Sequence, residues 1–442
     1  MFRDSRSAEP PLAGEAPRAN TRRGFLRSAA VAGAASALSA GLTVGAPTAQ
    51  AATVADLTLP PAGPDIAPLH LRVPQSALDD LRRRLAAARL PEAETVEDGS
   101  QGAQLGRLRP LVQHWRTRYD WRDLENRLNA AGQYRTLIDG MGIHFLHVRS
   151  KHPDALPVIL NHGWPGSFVE FLDTIGPLTD PTRYGGSARD AFHVVIPSMP
   201  GYGFSDRPTR TGWDPGRIAS AWIELMRRLG YRRYIAQGGD WGAAVTTQMA
   251  KQRPVGLLGV HLNLPEFLLS NTALGDSTPE EQAAIAQQQV FETQGSGYFR
   301  EQATRPQTIG YGLADSPTGQ AAWIFEKFTD WTDSDHRPER VLGYDRMLDD
   351  ITLYWLTNTA ASSARLYWEA TRNSHGLTVL DLPVGLSVFP AELVRTPKVW
   401  AQKAYKDLVY FNNDIPAGGH FAAFEQPQIF TEELRAYARL VR

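Results

Sequence analysis

The sequence predicts an α/β fold, a doubly wound parallel sheet carrying an all-helical insertion and wrapped by an N-terminal helical segment. Three observations predict it. From Ile143 onward, short and almost wholly apolar runs alternate with stretches of helical periodicity, the pattern of strands buried on both faces of a parallel sheet. The strand signal disappears between Glu266 and about Thr378 and then resumes. The 442 residues can bury a large core, and 42% hydrophobic with 21% charged residues is ordinary globular usage.

The first fifty residues read as an export signal. Thr21-Arg22-Arg23-Gly24-Phe25-Leu26-Arg27 has the form of a twin-arginine signal; an Ala/Gly/Leu/Val-rich stretch follows from Ser28 to Gly45, then Ala49-Gln50-Ala51, a small-x-small cleavage site. A disordered basic leader is the less favoured alternative. The apolar run is too short and too rich in Ala, Ser and Gly for a membrane span. Residues 1–51 are therefore expected to be removed, leaving an exported protein, extracellular or periplasmic/cell-envelope in a bacterium, that begins near Ala52.

Residues 65–150 carry the apolar run Leu69–Val73 and a helix over Ser76–Arg89, where Leu78, Leu81, Leu85 and Ala88 share one face. Two shorter helices follow over Leu111–Tyr119 and Trp121–Asn129. This segment is too small and too aromatic to stand alone, so it is expected to wrap the larger domain, residues 151–442. Strands are expected at Ile143–Val148, Pro157–Asn161, Phe192–Ile196, Tyr234–Ala236 and Gly256–Leu262, with helices at Pro215–Leu229 and Ala243–Gln252. In the insertion, about 266–378, Thr278-Pro279-Glu280-Glu281 opens a helix with a capping box and Pro at its first position. Helices are expected over Gln282–Gln294, Ala321–Thr329 and Leu348–Tyr367; such an insertion is most simply a lid. Strands return at Val384–Phe389 and Leu408–Phe411, before a closing helix over residues 428–440.

Composition excludes several functions. Lys plus Arg (46) and Asp plus Glu (47) nearly cancel, so there is no basic footprint for nucleic acid or an anionic membrane. Cysteine is absent, which removes disulfides, thiolate catalysis and cysteine-ligated zinc. No metal cluster, phosphate loop or nicotinamide fingerprint appears, and no cofactor or metal is expected.

The central motif is Gln237-Gly238-Gly239-Asp240-Trp241-Gly242, after a strand and before a helix. It fits the nucleophile elbow G-x-nucleophile-x-G, with Asp where serine hydrolases carry Ser. The bland alternative is an Asp capping an ordinary helix. A carboxylate, with a reference pKa of about 3.9, is already an anion at neutral pH. It suits displacement at saturated carbon and leaves a histidine free to activate water against the resulting ester. Gly418-Gly419-His420-Phe421 supplies that histidine on a loop after the last strand, although a lone histidine is more often a satisfied surface imidazole. Glu392, in Phe389-Pro390-Ala391-Glu392, is the preferred acid to orient it, over Asp381, Asp407 and Asp414. Nucleophile, acid and histidine then follow the chain order of the α/β-hydrolase fold. His162-Gly163-Trp164-Pro165-Gly166 follows a strand and is expected to supply one oxyanion-hole amide, Trp164, with Trp241 supplying the other. A structural turn with a packed indole is the alternative.

From about Pro64 to the C-terminus the chain resembles the microsomal-type (xenobiotic) epoxide hydrolases, including their N-terminal segment. The resemblance rests on Leu71-Arg72-Val73-Pro74, Asp80-Leu81-Arg82-Arg83-Arg84-Leu85, Tyr119-Asp120-Trp121-Arg122 and His162–Ser167. It continues through Gly201-Tyr202-Gly203-Phe204-Ser205, Gly239-Asp240-Trp241-Gly242 and Gly418-Gly419-His420-Phe421-Ala422-Ala423-Phe424-Glu425. It implies an α/β-hydrolase fold with a helical lid inserted in the sheet, and conversion of an epoxide to a vicinal diol through a covalent ester on Asp240. It further implies that two lid tyrosines, matching Tyr298 and Tyr367, protonate the epoxide oxygen. The residues alone leave Tyr311, Tyr344 and Tyr354 in competition as lid core. An export signal in place of a membrane anchor is the chief departure. Competing readings are a haloalkane dehalogenase, with Trp241 donating to halide, and a catalytically inactive hydrolase fold used for binding. The expected partners are a small apolar epoxide and water, without nucleic acid or a stable membrane span in the mature chain; a homodimer is left open.

Overall fold

Strands β1 (Ala67–Leu69), β2 (Gln133–Ile138), β3 (Met141–Val148), β4 (Leu156–Asn161), β5 (Phe192–Pro197), β6 (Tyr234–Gly238), β7 (Leu257–Leu262), β8 (Leu380–Ser387) and β9 (Tyr405–Asn412) form one sheet. Their order is β1-β2-β3-β5-β4-β6-β7-β8-β9. This computed structural model describes residues 57–265, 275–372 and 379–442. The expected export signal, and parts of the expected insertion at 266–274 and 373–378, lie outside the described residues. Residues 53–442 form one compact unit.

From β5 to β9 every pairing is parallel; β1, β2 and β3 are added as antiparallel neighbours on one edge. The central strands β4 and β5 are buried along their whole length, which is why they read as continuous apolar runs. The expected α/β architecture is thus observed, and the N-terminal segment contributes sheet as well as helices. Strand β2 was not anticipated. Its Arg135 and Thr136 are buried, and buried polar side chains within a strand mask the hydrophobic signal. The Arg135 guanidinium pairs with Asp206.

The run Leu69–Val73 is strand only at its start. Asn129 brackets Leu71, accepting from its N–H (2.8 Å) and donating to its carbonyl (2.9 Å), and Glu125 accepts from Val73 N–H at 2.7 Å. Helices Gln75–Ala86, Leu105–Thr117 and Trp121–Ala131 follow. They pack partly on the lid, where the buried Tyr119 hydroxyl donates to Asp349 at 2.9 Å.

The described residues of the lid form helices joined by turns, with no strand among them. Thr278 and Glu281 form the expected reciprocal cap on helix Pro279–Val290. Helices Gly297–Thr304 and Pro306–Asp315 were not anticipated. The single helix expected over Leu348–Tyr367 is two, Gly343–Thr357 and Ala360–Arg372, broken where Asn358 turns left-handed (φ 49°). Asn tolerates that conformation better than most residues.

The connections leaving the C-terminal ends of the parallel strands converge, the usual ligand side of such sheets. β4 and β6 end side by side, Asn161 paired with Gly238. The loops after β8 and β9 are joined by a bridge between Ala391 and Gly419, one residue before Glu392 and His420 respectively.

Candidate active site

Asp240 opens helix Asp240–Gln252 directly after β6, with φ at 50°. A left-handed conformation is costly for a residue with a side chain and persists where the surroundings enforce it. Two glycines make the turn possible. A Cβ on Gly238 would overlap the Gly242 carbonyl, and one on Gly242 would overlap the Asn161 carbonyl. Gly239, by contrast, has space for a side chain.

The Asp240 carboxylate is buried, and its two oxygens face different partners. Trp164 N–H donates to Oδ1 at 2.8 Å, and His420 Nε2 lies 3.4 Å from Oδ2. A Cβ on Gly163 would overlap the Asp240 side chain, so the loop approaches this closely only with glycine there. His162 steadies the same loop. Burial pushes its imidazole down to about 4, and the neutral ring accepts from Met199 N–H at 3.1 Å while its Nδ1 lies 3.1 Å from the Gly163 carbonyl. Trp241 is the second residue of its helix, so its amide is one of the first-turn donors that no intrahelical carbonyl satisfies.

His420 Nδ1 contacts Glu392 Oε1 at 2.7 Å, and both side chains are almost completely buried. Burial works against a charged imidazole, but the Glu392 carboxylate, together with Asp240, overcomes it and holds His420 well above its usual range. Glu425 pins the histidine loop by accepting from the N–H groups of Gly419, Phe421 and Asp333. Of the other acids considered, Asp381 pairs with Arg253, and Asp407 and Asp414 are exposed.

Tyr298 and Tyr367 meet over this carboxylate, ring centroids 5.9 Å apart. Tyr298 stacks on Trp164 (5.0 Å, 8°) and Tyr367 stands edge-on to Trp241 (4.8 Å, 83°). Burial, and for Tyr298 next the charge of Asp240, pushes both phenols well above their usual range. They are therefore neutral hydroxyl donors. Among the described residues nothing meets the buried Tyr367 hydroxyl at hydrogen-bond geometry, so it is open to a ligand oxygen. The competing tyrosines are placed elsewhere. Tyr354 donates to the Gly166 carbonyl (2.8 Å), Tyr311 is exposed, and Tyr344 packs on His114.

Two small cavities, each about 30 Å³, flank Asp240. One is lined by Trp241, Leu264, Phe291, Tyr298, Phe299, Tyr367, Leu393 and Val394. The other is polar on the side of Asn161, Glu170, Gln237, Asn263 and His420. Each is large enough for a water or two.

The family described as Epoxide hydrolase N terminus matches residues 66–171, and that described as alpha/beta hydrolase fold matches residues 157–321. A Stigmatella aurantiaca protein, provisionally named an epoxide hydrolase, is 60% identical over 377 residues, spanning 85% of this chain and 86% of the relative. Epoxide hydrolase 1 of Sus scrofa is 34% identical over 405 residues, covering 85% and 89%. The chain belongs to the epoxide hydrolases. Its structural neighbours agree. Aspergillus niger epoxide hydrolase matches with a TM-score of 0.76 at 33% identity over 87% of this chain and 99% of the other. The juvenile hormone epoxide hydrolase of Bombyx mori matches at 0.76 and 30%, over 85% and 94%. The activity is therefore hydrolysis of an epoxide to a vicinal diol, and neither dehalogenation nor a non-catalytic binding role is favoured. Among the described residues of this epoxide hydrolase no cluster of acids and histidines is arranged for a metal, and no helix is long and apolar enough to cross a membrane.

Sequence reading missed the polar cavity behind Asp240. Gly166 was the available signal: a Cβ there would overlap the Glu170 carboxyl, so the glycine makes room for an acid folded back beneath the loop. Burial, reinforced by Asp350, pushes Glu170 well above the usual carboxylate range.

Proposed function

We propose that this epoxide hydrolase works through an ester on Asp240. Oδ2 attacks one epoxide carbon, the carbon–oxygen bond breaks, and the ring oxygen takes a proton from Tyr298 or Tyr367. Oδ1 becomes the ester carbonyl oxygen, already seated on the Trp164 amide, with the Trp241 amide as the second oxyanion donor. Forming the ester cancels the Asp240 charge, which removes one of the two anions that raise His420. The imidazole can then lose its proton, and proton exchange with solvent restores the phenol. His420 Nε2, oriented by Glu392, next takes a proton from water attacking the ester carbonyl. It returns that proton to the departing diol oxygen, and the Asp240 carboxylic acid left behind ionises, regenerating the carboxylate and the protonated imidazole. The single observation that carries this reading is the division of the carboxylate, one oxygen on a backbone amide and the other facing the imidazole.

The substrate class is a small apolar epoxide, supported by the aromatic and aliphatic lining around the tyrosines. Phe291, Phe299 and Leu393 are among the walls that set which epoxides are admitted. The direct test is a panel of aryl and alkyl epoxides scored for diol, run beside Asp240→Ala and beside chloroalkanes scored for chloride. Diol formation that vanishes in Asp240→Ala supports the reading. Chloride release without diol contradicts it.

We further propose that residues 1–51 direct export by the twin-arginine route, supported by Arg22-Arg23, the apolar stretch and Ala49-Gln50-Ala51. Replacing both arginines by lysine should leave the protein unprocessed in the cytoplasm; unchanged export would contradict this.

A further inference from the structure

Lys327 is almost fully buried in lid helix Pro317–Trp331, with only 3% of its side chain exposed. Burying an ammonium is expensive unless something compensates. Its Nζ lies 4.5 Å from the centre of the Tyr298 ring and 5.5 Å from that of Trp331, within range of a cation–π attraction. Its ion-pair partner is the neighbouring Glu326, at 2.5 Å, and Asp330 is close enough to feel its charge. Tyr367 differs. Its ring meets Trp164, Trp241, Tyr298 and Phe299, and among the described residues no cation lies over it.

We propose that Lys327 is a positioning residue that makes Tyr298 the stronger of the two proton donors to the opening epoxide. This inference rests on the assignment of Tyr298 as a donor. An ammonium over a phenol ring favours the phenolate more than the neutral phenol, because the ring gains electron density as the proton leaves. The anions acting on Tyr298 are Asp240, Glu326 and Glu392, all of which oppose ionisation. Asp240 is the one whose charge is consumed as the ester forms, so its opposition fades during the step in which the proton is needed. Lys327 remains. The two tyrosines are therefore unequal, although the sequence offers them as a pair.

The test is a single-turnover measurement with styrene oxide, ring opening followed by tryptophan fluorescence and the ester by mass. Lys327→Met should slow ring opening by about 10- to 30-fold, the worth of a desolvated cation–π contact. Ester hydrolysis should change by less than about twofold. In a Tyr367→Phe background the full effect of Lys327→Met should persist; in a Tyr298→Phe background it should shrink to less than about threefold. An equal effect in both backgrounds, or equal loss in both chemical steps, overturns the proposal. Should Lys327→Met fail to fold, Lys327→Gln, which is neutral and close in length, takes its place with the same expected slowing of ring opening, and unchanged ring opening overturns the proposal. Wild-type ring opening in Tyr298→Phe itself would sink the assignment of that tyrosine, whatever the lysine does.

Discussion

Replacing Glu392 by Gln should separate the two chemical steps of this epoxide hydrolase. Glu392 Oε1 and His420 Nδ1 are 2.7 Å apart, and both side chains are shielded from water. At an effective dielectric of about 20, unit charges at that distance attract by about 6 kcal/mol. A glutamine dipole and local relaxation recover part of this. If about half is lost, the transition state that makes imidazolium is disfavoured by ~3 kcal/mol, roughly a 100-fold slowing of ester hydrolysis. Gln can also offer its amide N–H to Nδ1, which favours the tautomer with the proton on Nε2 and removes the base from the water site. Ring opening needs no base and should change by less than about threefold, since Glu392 acts on Tyr298 only through its charge. Rapid-quench mass analysis reads both steps: the variant should accumulate ester on Asp240 at close to the wild-type rate and then clear it slowly. Slowing of hydrolysis by less than about fivefold, or equal slowing of both steps, would refute the assignment of Glu392 as the orienting acid.

Gly163→Ala should abolish detectable turnover while leaving the thermal transition within a few degrees of wild type, because its Cβ overlaps the Asp240 side chain; activity above about 1% of wild type would contradict the close approach. Asp350 is fully buried, accepts from Ser167 Oγ at 2.6 Å, and is pushed up to about 8 by burial. The sign follows from linkage: with the folded pKa raised, its contribution to stability is fully present below about pH 4 and is lost as pH rises toward about 8. Asp350→Asn should remove part of that decline, so its urea-unfolding stability should fall by a few kcal/mol less between about pH 5 and about pH 8. Parallel curves for the two proteins would contradict this.

The parts of the fold legible in the sequence were those where one physical signal dominates. Continuous apolar runs located β4, β5 and β7, and the Thr278–Glu281 cap located the start of a lid helix. Strand β2 was hidden because buried Arg135 breaks its pattern and finds a partner, Asp206, far along the chain. The break at Asn358 was hidden because helical periodicity continues on both sides of it. At the site, elbow spacing pointed to Asp240 and chain order to His420. Glu392 had three rivals in sequence, and the Ala391–Gly419 bridge places it against the histidine. Tyr298 and Tyr367 could be named only by family resemblance, since no local pattern distinguishes a donor tyrosine from a core one. Lys327 and Glu170 were invisible for a related reason. What marks them is burial of an ionisable group beside the site, which appears only once distant elements pack.

The central claim, a covalent ester on Asp240, is tested most directly by one turnover in heavy-oxygen water with enzyme in excess. The oxygen that water contributes should appear in the peptide containing Asp240, and the diol of that first turnover should be unlabelled. Heavy oxygen in the first diol, with none on Asp240, would mean that water opens the ring directly and would contradict the account.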